Sequence, residues 1–173
     1  PKLGDELADN VDTWSWHENP FVGTREFKGL IVMQLIFNNW DLKTPQNKIY
    51  DVKNPGAGPA RWYVVRDLGA ALGRTAWPVG TKNDPAEFEK QQLIKRVAGR
   101  RVEFDYDARH KELFEDITVD DVVWIAELMN QITPKQYADA FRAAAYPDET
   151  AKRFIAKLRA KVQEGLNLRS RRR

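Results

Sequence analysis

The sequence predicts a mainly α protein with a small β-hairpin that carries the functional residues, an α+β arrangement. Three observations predict it. An apolar run from Phe27 to Trp40 is long enough for a buried helix and empties into a polar loop. The two segments richest in β-branched and aromatic residues, Lys48 to Val52 and Arg61 to Arg66, lie side by side around a turn-rich connector. From residue 84 onward, helix-start signals recur at Asp84, Thr118 and Thr133. At 173 residues, with 42% hydrophobic and 31% charged side chains, the chain is hydrophobic enough to bury a core as one domain, or as a domain with a helical appendage.

Residues 1–23 are aromatic and irregular (Trp14, Trp16, Pro20, Phe21, Gly23) and read as a loop region packed on the body. Thr24 is placed to cap the helix that follows, with Phe27 three residues later. Asn38 to Asn47 reads as a loop, in which Asn38 and Asn39 suit a helix C-cap. Lys48 to Val52 and Arg61 to Arg66 form the hairpin. The connector between them contains Asn54-Pro55-Gly56-Ala57-Gly58-Pro59. Asp84-Pro85-Ala86-Glu87 starts a helix expected to reach Ala98 and stop at Gly99. Arg101 to Asp107 reads as a short strand. Thr118 opens a helix to about Asn130, Thr133-Pro134 opens another, and a last helix aligns Phe154, Ile155, Leu158 and Val162 on one face.

Composition excludes several classes of function. There are no cysteines, so disulfides, thiolate zinc sites and thiol catalysis are out. No apolar run reaches membrane-spanning length. The net charge of +3 hides an asymmetry. Residues 151–173 hold nine Lys or Arg against one acid, Glu164. That is +8, which leaves −5 on residues 1–150.

The candidate site lies in the loop and hairpin. The buried helix delivers Asp41, Lys43 and Asn47, and the second hairpin strand delivers Asp67 followed by Gly69. Asn47 and Asp67 flank the hairpin, so both can point at one site. An amide oxygen and a carboxylate suit a hard cation such as magnesium. Asp41 is placed to accept a proton from an attacking hydroxyl, and Lys43 to offset charge on a transferring phosphoryl group. His17 and His110 lie far apart in sequence, and neither has a partner at metal-ligand spacing. The tryptophans read as core or loop anchors, with Trp62 on the hairpin as the one placed to touch a nucleotide.

These residues carry a resemblance. Asp41-Leu42-Lys43 resembles the Asp-Leu-Lys of protein-kinase catalytic loops. Val65-Arg66-Asp67-Leu68-Gly69 resembles the strand entering the Asp-Phe-Gly metal motif, with Leu in place of Phe. The short spacing and asparagine-rich loop are similar to the atypical kinase-like families: HipA-type, CotH-type and phosphatidylinositol-kinase-like proteins. The resemblance covers roughly residues 24–73. It implies a kinase-like C-lobe over 24–130; beyond it the helix signals and charge read as a C-terminal helical pair over 131–166 and a basic, disordered tail over 167–173. The resemblance also implies Mg2+ (or Mn2+) held by Asn47 and Asp67, catalysis by Asp41 and Lys43, and transfer of the ATP γ-phosphoryl group to a hydroxyl acceptor. The chain has neither a Gly-rich loop over a nucleotide nor a strand Lys followed by a helix Glu. The resemblance therefore implies a catalytic lobe belonging to something larger, an inference that fits a sequence starting at Pro1.

The rival expectation is a non-catalytic helical interaction domain. Thr133–Ala145 and Glu149–Leu166 flank a Tyr146-Pro147-Asp148 turn, and the second helix and tail are basic enough to attract nucleic acid or an acidic partner. No DNA- or RNA-reading motif accompanies that charge, which argues against nucleic acid. A degenerate kinase-like domain with a weak metal site is a third possibility.

Overall fold

The computed structural model describes residues 6–76 and 78–171. Helix accounts for 44% of residues and strand for 15%, so the architecture is mixed with helix dominant. The order is β1 (Ala8–Thr13), α1 (Arg25–Ile36), β2 (Lys48–Val52), β3 (Arg61–Val64), α2 (Pro85–Lys90), β4 (Ile94–Ala98), β5 (Arg101–Phe104), α3 (Val119–Met129), α4 (Pro134–Ala143) and α5 (Asp148–Leu166).

The expected hairpin is present as β2 and β3, antiparallel with Lys48 opposite Val64 and Tyr50 opposite Trp62. It has a third strand that sequence reasoning assigned to a loop. β1 lies antiparallel along the other edge of β2, with Ala8 opposite Val52, and Val11 bulges out of the ladder. Only Ala8 of this strand is buried, so it carries no alternating pattern. The open backbone edge of β2 makes it a strand. Trp14 and Trp16 then turn inward against Phe27 of α1, as an anchored aromatic segment should.

α1 is the buried helix its composition predicts, with Ile31, Val32, Leu35 and Ile36 almost fully excluded from solvent. Its N-terminus is capped by Thr24, whose hydroxyl accepts from the Phe27 N–H at 3.2 Å. α1 packs on α3, α3 on α5, and both α2 and α4 on α5. Gly29 lets the Trp124 ring approach so closely that an added Cβ would sit 2.5 Å from it. Phe88 of α2 and Phe154 of α5 are fully buried with their rings edge-to-face. Each contributes about 2–3 kcal/mol of burial. Capping boxes at Thr118 with Asp121 and at Thr133 with Gln136 start α3 and α4.

The helix expected over 84–98 is the main correction. It ends at Lys90, and Ile94–Ala98 is a strand paired with β5 through a turn at Gly99, whose φ is +60°. Gln91 is extended because its side chain is bound into a buried network, and β-branched Ile94 and Val97 then pair in the hairpin. The carboxylate of Glu164 on α5 receives the N–H groups of Leu93 and Ile94 at 2.8 and 3.1 Å, which fixes the start of β4. The tail differs too. Asn167–Arg171 is a 3₁₀ turn rather than disordered chain, because Leu168 is buried against the α3–α5 layer. Arg172 and Arg173 lie outside the described residues. No helix among the described residues is long and apolar enough to cross a membrane.

Candidate functional site

The site is built at the end of α1. Asn38 adopts φ +54°, and its N–H bonds the Leu35 carbonyl at 3.1 Å while the Asn39 N–H bonds the Gln34 carbonyl at 2.9 Å. This pair of bonds is a Schellman cap, the role the asparagines suit. Their side chains do more. Asn39 donates to Gln34 Oε1 at 2.9 Å and accepts the Asp41 N–H at 3.3 Å, which orients the start of the loop. Asn38 reaches the Gly73 carbonyl at 2.6 Å.

Two backbone bonds bring the distant halves together. The Trp40 N–H meets the Ala70 carbonyl at 3.4 Å, and the Leu72 N–H meets the Phe37 carbonyl at 2.8 Å. Segment 37–40 is thereby paired with segment 70–72, and Asp41 comes close to Asp67. The link between the two carboxylates is Gln46, at the end of the 3₁₀ turn Thr44–Gln46. Its Nε2 donates to Asp41 Oδ2 at 3.3 Å and to Asp67 Oδ2 at 3.0 Å. Lys43 Nζ lies 2.9–3.0 Å from the Asp41 carboxylate oxygens.

Asp67 is held in the left-handed region at φ +55°, ψ +66°. Asp is among the few residues besides Gly that adopt this region readily, and here it turns the chain out of β3. Gly69 accommodates it, since a Cβ at that position would sit 3.2 Å from Asp67 Oδ1. Gly73 is required by close approach, because its Cβ would collide with the Thr81 carbonyl at 2.3 Å.

Two depressions adjoin the bridged carboxylates, one at Asp41 and the other at Asp67. One of about 250 Å³ is lined by Trp40, Asp41, Lys43, Val79 and Arg109. The other, of about 770 Å³, is lined by Gln46, Lys48, Arg66, Asp67 and Leu68. The second sets two cations beside the Asp67 carboxylate, and Arg66 is steadied by the Tyr50 hydroxyl at 3.3 Å. Tyr106 stands close enough to Asp41 to be affected by it. Burial chiefly, then the Asp41 and Glu112 carboxylates, push its hydroxyl well above the ordinary range.

Of the four residues expected at the site, Asp41, Lys43 and Asp67 form one hydrogen-bonded cluster. Asn47 adjoins it with its side chain in the interior, 1% exposed, where Nδ2 donates to the Trp14 carbonyl at 3.2 Å. Among the described residues no hydrogen bond joins Asn47 to Asp41 or Asp67; its neighbour Gln46 does that. Sequence reasoning missed Gln46, because its position relative to Asp67 depends on how the hairpin folds back. Trp62 is partly exposed on β3, in an apolar groove with Phe21, Leu30 and Tyr63.

The basic C-terminal end presents less charge than its composition implies. Arg153 pairs with Glu89 at 2.6 Å, Lys152 with Glu149 at 2.6 Å and Arg169 with Glu127 at 3.2 Å, while Lys161 is fully buried. The two histidines, set 93 residues apart, meet in space beside Glu112.

No protein-family model, no curated protein and no solved structure matches the chain.

Proposed function

We propose that the chain is a kinase-like phosphotransferase lobe that moves the γ-phosphoryl group of ATP to a hydroxyl acceptor. The supporting observation is the Asp41–Gln46–Asp67 bridge. Two carboxylates from elements 26 positions apart converge on one amide, with Lys43 on one flank and the Lys48–Arg66 groove on the other. Two acids drawn to one amide NH2 group have the ligand type that a hard divalent cation requires.

In this reading Asp67 ligates the cation, with the Asn47 side-chain oxygen as the candidate second ligand. Mg2+ would supply charge neutralisation across the phosphates. Lys48 and Arg66 attract the phosphate oxygens in the larger groove. Asp41 faces the smaller basin, orients the acceptor hydroxyl and takes its proton as the oxygen bonds to phosphorus. The phosphorus bond to the departing nucleoside diphosphate breaks in the same step. Lys43 offsets the growing negative charge.

The test is Mn2+–ATP binding by the intact chain. Wild type should bind, and Asp67→Asn should lose at least tenfold in affinity while remaining folded. Asp41→Asn should keep its binding and lose on the order of 10²–10⁴ in transfer rate. Equal affinity in wild type and Asp67→Asn would sink the assignment.

A further inference from the structure

His17 lies 93 residues from His110, and Glu112 follows His110 by two, yet three of their atoms meet at one point. His17 Nε2 lies 3.3 Å from His110 Nδ1 and 3.3 Å from Glu112 Oε1, and His110 Nδ1 lies 3.2 Å from the same Oε1. The rings are tilted at 54° with centroids 5.4 Å apart, so they converge edge-on rather than stack. His110 has φ +61° and opens the 3₁₀ turn Lys111–Phe114, which brings Glu112 round to it. His17 directly follows the buried Trp14 and Trp16, which anchor it from the other side.

We propose that these three residues are the ligands of a second metal site, selective for a borderline divalent transition metal of the zinc class. The triangle has the required size. Bonds of about 2.0–2.1 Å in tetrahedral geometry put ligand atoms roughly 3.3–3.4 Å apart. The three measured edges match that spacing to within about 0.2 Å. The donor set is right too: two imidazole nitrogens and one carboxylate oxygen suit zinc, whereas magnesium prefers oxygen alone. Hydrogen bonding among the three atoms does not satisfy them as well. At most one proton sits between the two facing nitrogens when both rings are neutral, and the carboxylate oxygen only accepts. A cation at the centre would meet three lone pairs at once.

All three side chains are partly exposed, from 30% for His110 to 56% for Glu112, so an ion can enter and water can complete its coordination. An ion there would tie the segment after β1 to the loop after β5. Arg109 in that loop lines the Asp41 basin. The site does not depend on phosphotransfer by Asp41 and Asp67.

Zinc titration of the intact protein, followed by NMR of the histidine rings, tests it. The chain has only two histidines and no cysteine, so two ring signals report everything and no thiol competes. One equivalent of Zn2+ should bind, and both ring signals should shift together. His110→Ala should weaken binding at least tenfold, and Glu112→Gln should weaken it less. Absence of zinc binding by wild type overturns the site. So does a shift confined to one ring, which is read on the unmutated protein and does not depend on a variant folding. Unchanged affinity in a folded His110→Ala protein overturns it as well.

Discussion

Asn38 and Asn39 are adjacent and both buried, yet they belong to two different polar clusters. Asn38 leads inward. Its amide contacts Gln91 at 3.1 Å, and its oxygen receives Lys161 Nζ. Gln91 in turn accepts the Thr75 N–H at 2.7 Å and donates to the Thr75 hydroxyl at 2.5 Å and to the Asp105 carbonyl. Asn39 leads outward, to Asp41, Gln46 and Asp67. In the inner cluster each amide faces a complementary partner, as burial demands. In the outer cluster two carboxylates share one amide beside open grooves, with Lys43 paired to Asp41 and with Lys48 and Arg66 lining the Asp67 groove. The inner cluster holds the fold in place so that the outer, solvent-open one can exist at its surface.

The contrast is broken most forcefully at Gln91. Gln91→Ala removes partners from Asn38, from the Thr75 N–H and hydroxyl and from the Asp105 carbonyl. Asn38 keeps the Gly73 carbonyl and the Thr75 hydroxyl keeps the Asp107 N–H. The Thr75 N–H and the Asp105 carbonyl lose their partner at about 1–3 kcal/mol each, so with the cavity a total loss of roughly 3–5 kcal/mol is expected in urea unfolding. A loss under about 1 kcal/mol would mean that water replaces the side chain and the inner cluster is no scaffold.

Gln91 also marks the limit of what the sequence reveals. α1 is legible because its apolar run and Thr24 cap are local, and β3 leading into Asp67 is legible from Arg61 to Val64. The end of α2 is not. Asp84-Pro85-Ala86-Glu87 is a strong start signal, but the stop comes from contacts with Thr75 and Asp105, distant in sequence. β1 is illegible because Ala8–Thr13 has one buried residue and borrows its order from β2. Asp41, Lys43 and Asp67 are legible as chemistry-bearing types near a hairpin. Gln46, and the meeting of His17 with His110, arise only from folding.

The next effect is electrostatic. Lys161 is buried, with Nζ on Asn38 and 3.5 Å from the Leu35 carbonyl, and 5.0 Å from the centre of the Phe88 ring. Burial first, then the Lys157 charge, push its pKa down to about 7, against the opposing pull of Glu164 and Asp105. The unfolded chain keeps that proton until about pH 10.5. Between those values the unfolded state binds the extra proton, so raising the pH favours the native state by about 1.4 kcal/mol per unit. From pH 7 to 9, wild type should gain roughly 2–3 kcal/mol relative to Lys161→Met. Parallel stability curves for the two proteins would show that Lys161 stays charged in the core.

The smallest change in stability is expected at Gln46, where the outer cluster is tested directly. Its amide only bridges two carboxylates at the surface, so Gln46→Ala should shift stability by no more than about 0.5 kcal/mol. Its effect on metal binding should go the other way. The amide now occupies a lone pair of each carboxylate where a cation would sit. Removing it leaves Asp41 and Asp67 facing each other with Lys43 as the remaining bonded donor at Asp41. Repulsion between the two acids would then be relieved by a divalent ion, so Mn2+ affinity should rise about two- to fivefold. A fall in affinity would instead make Gln46 a ligand whose amide turns its oxygen toward the ion. That would place the metal between the acids on the Gln46 side, away from Asn47.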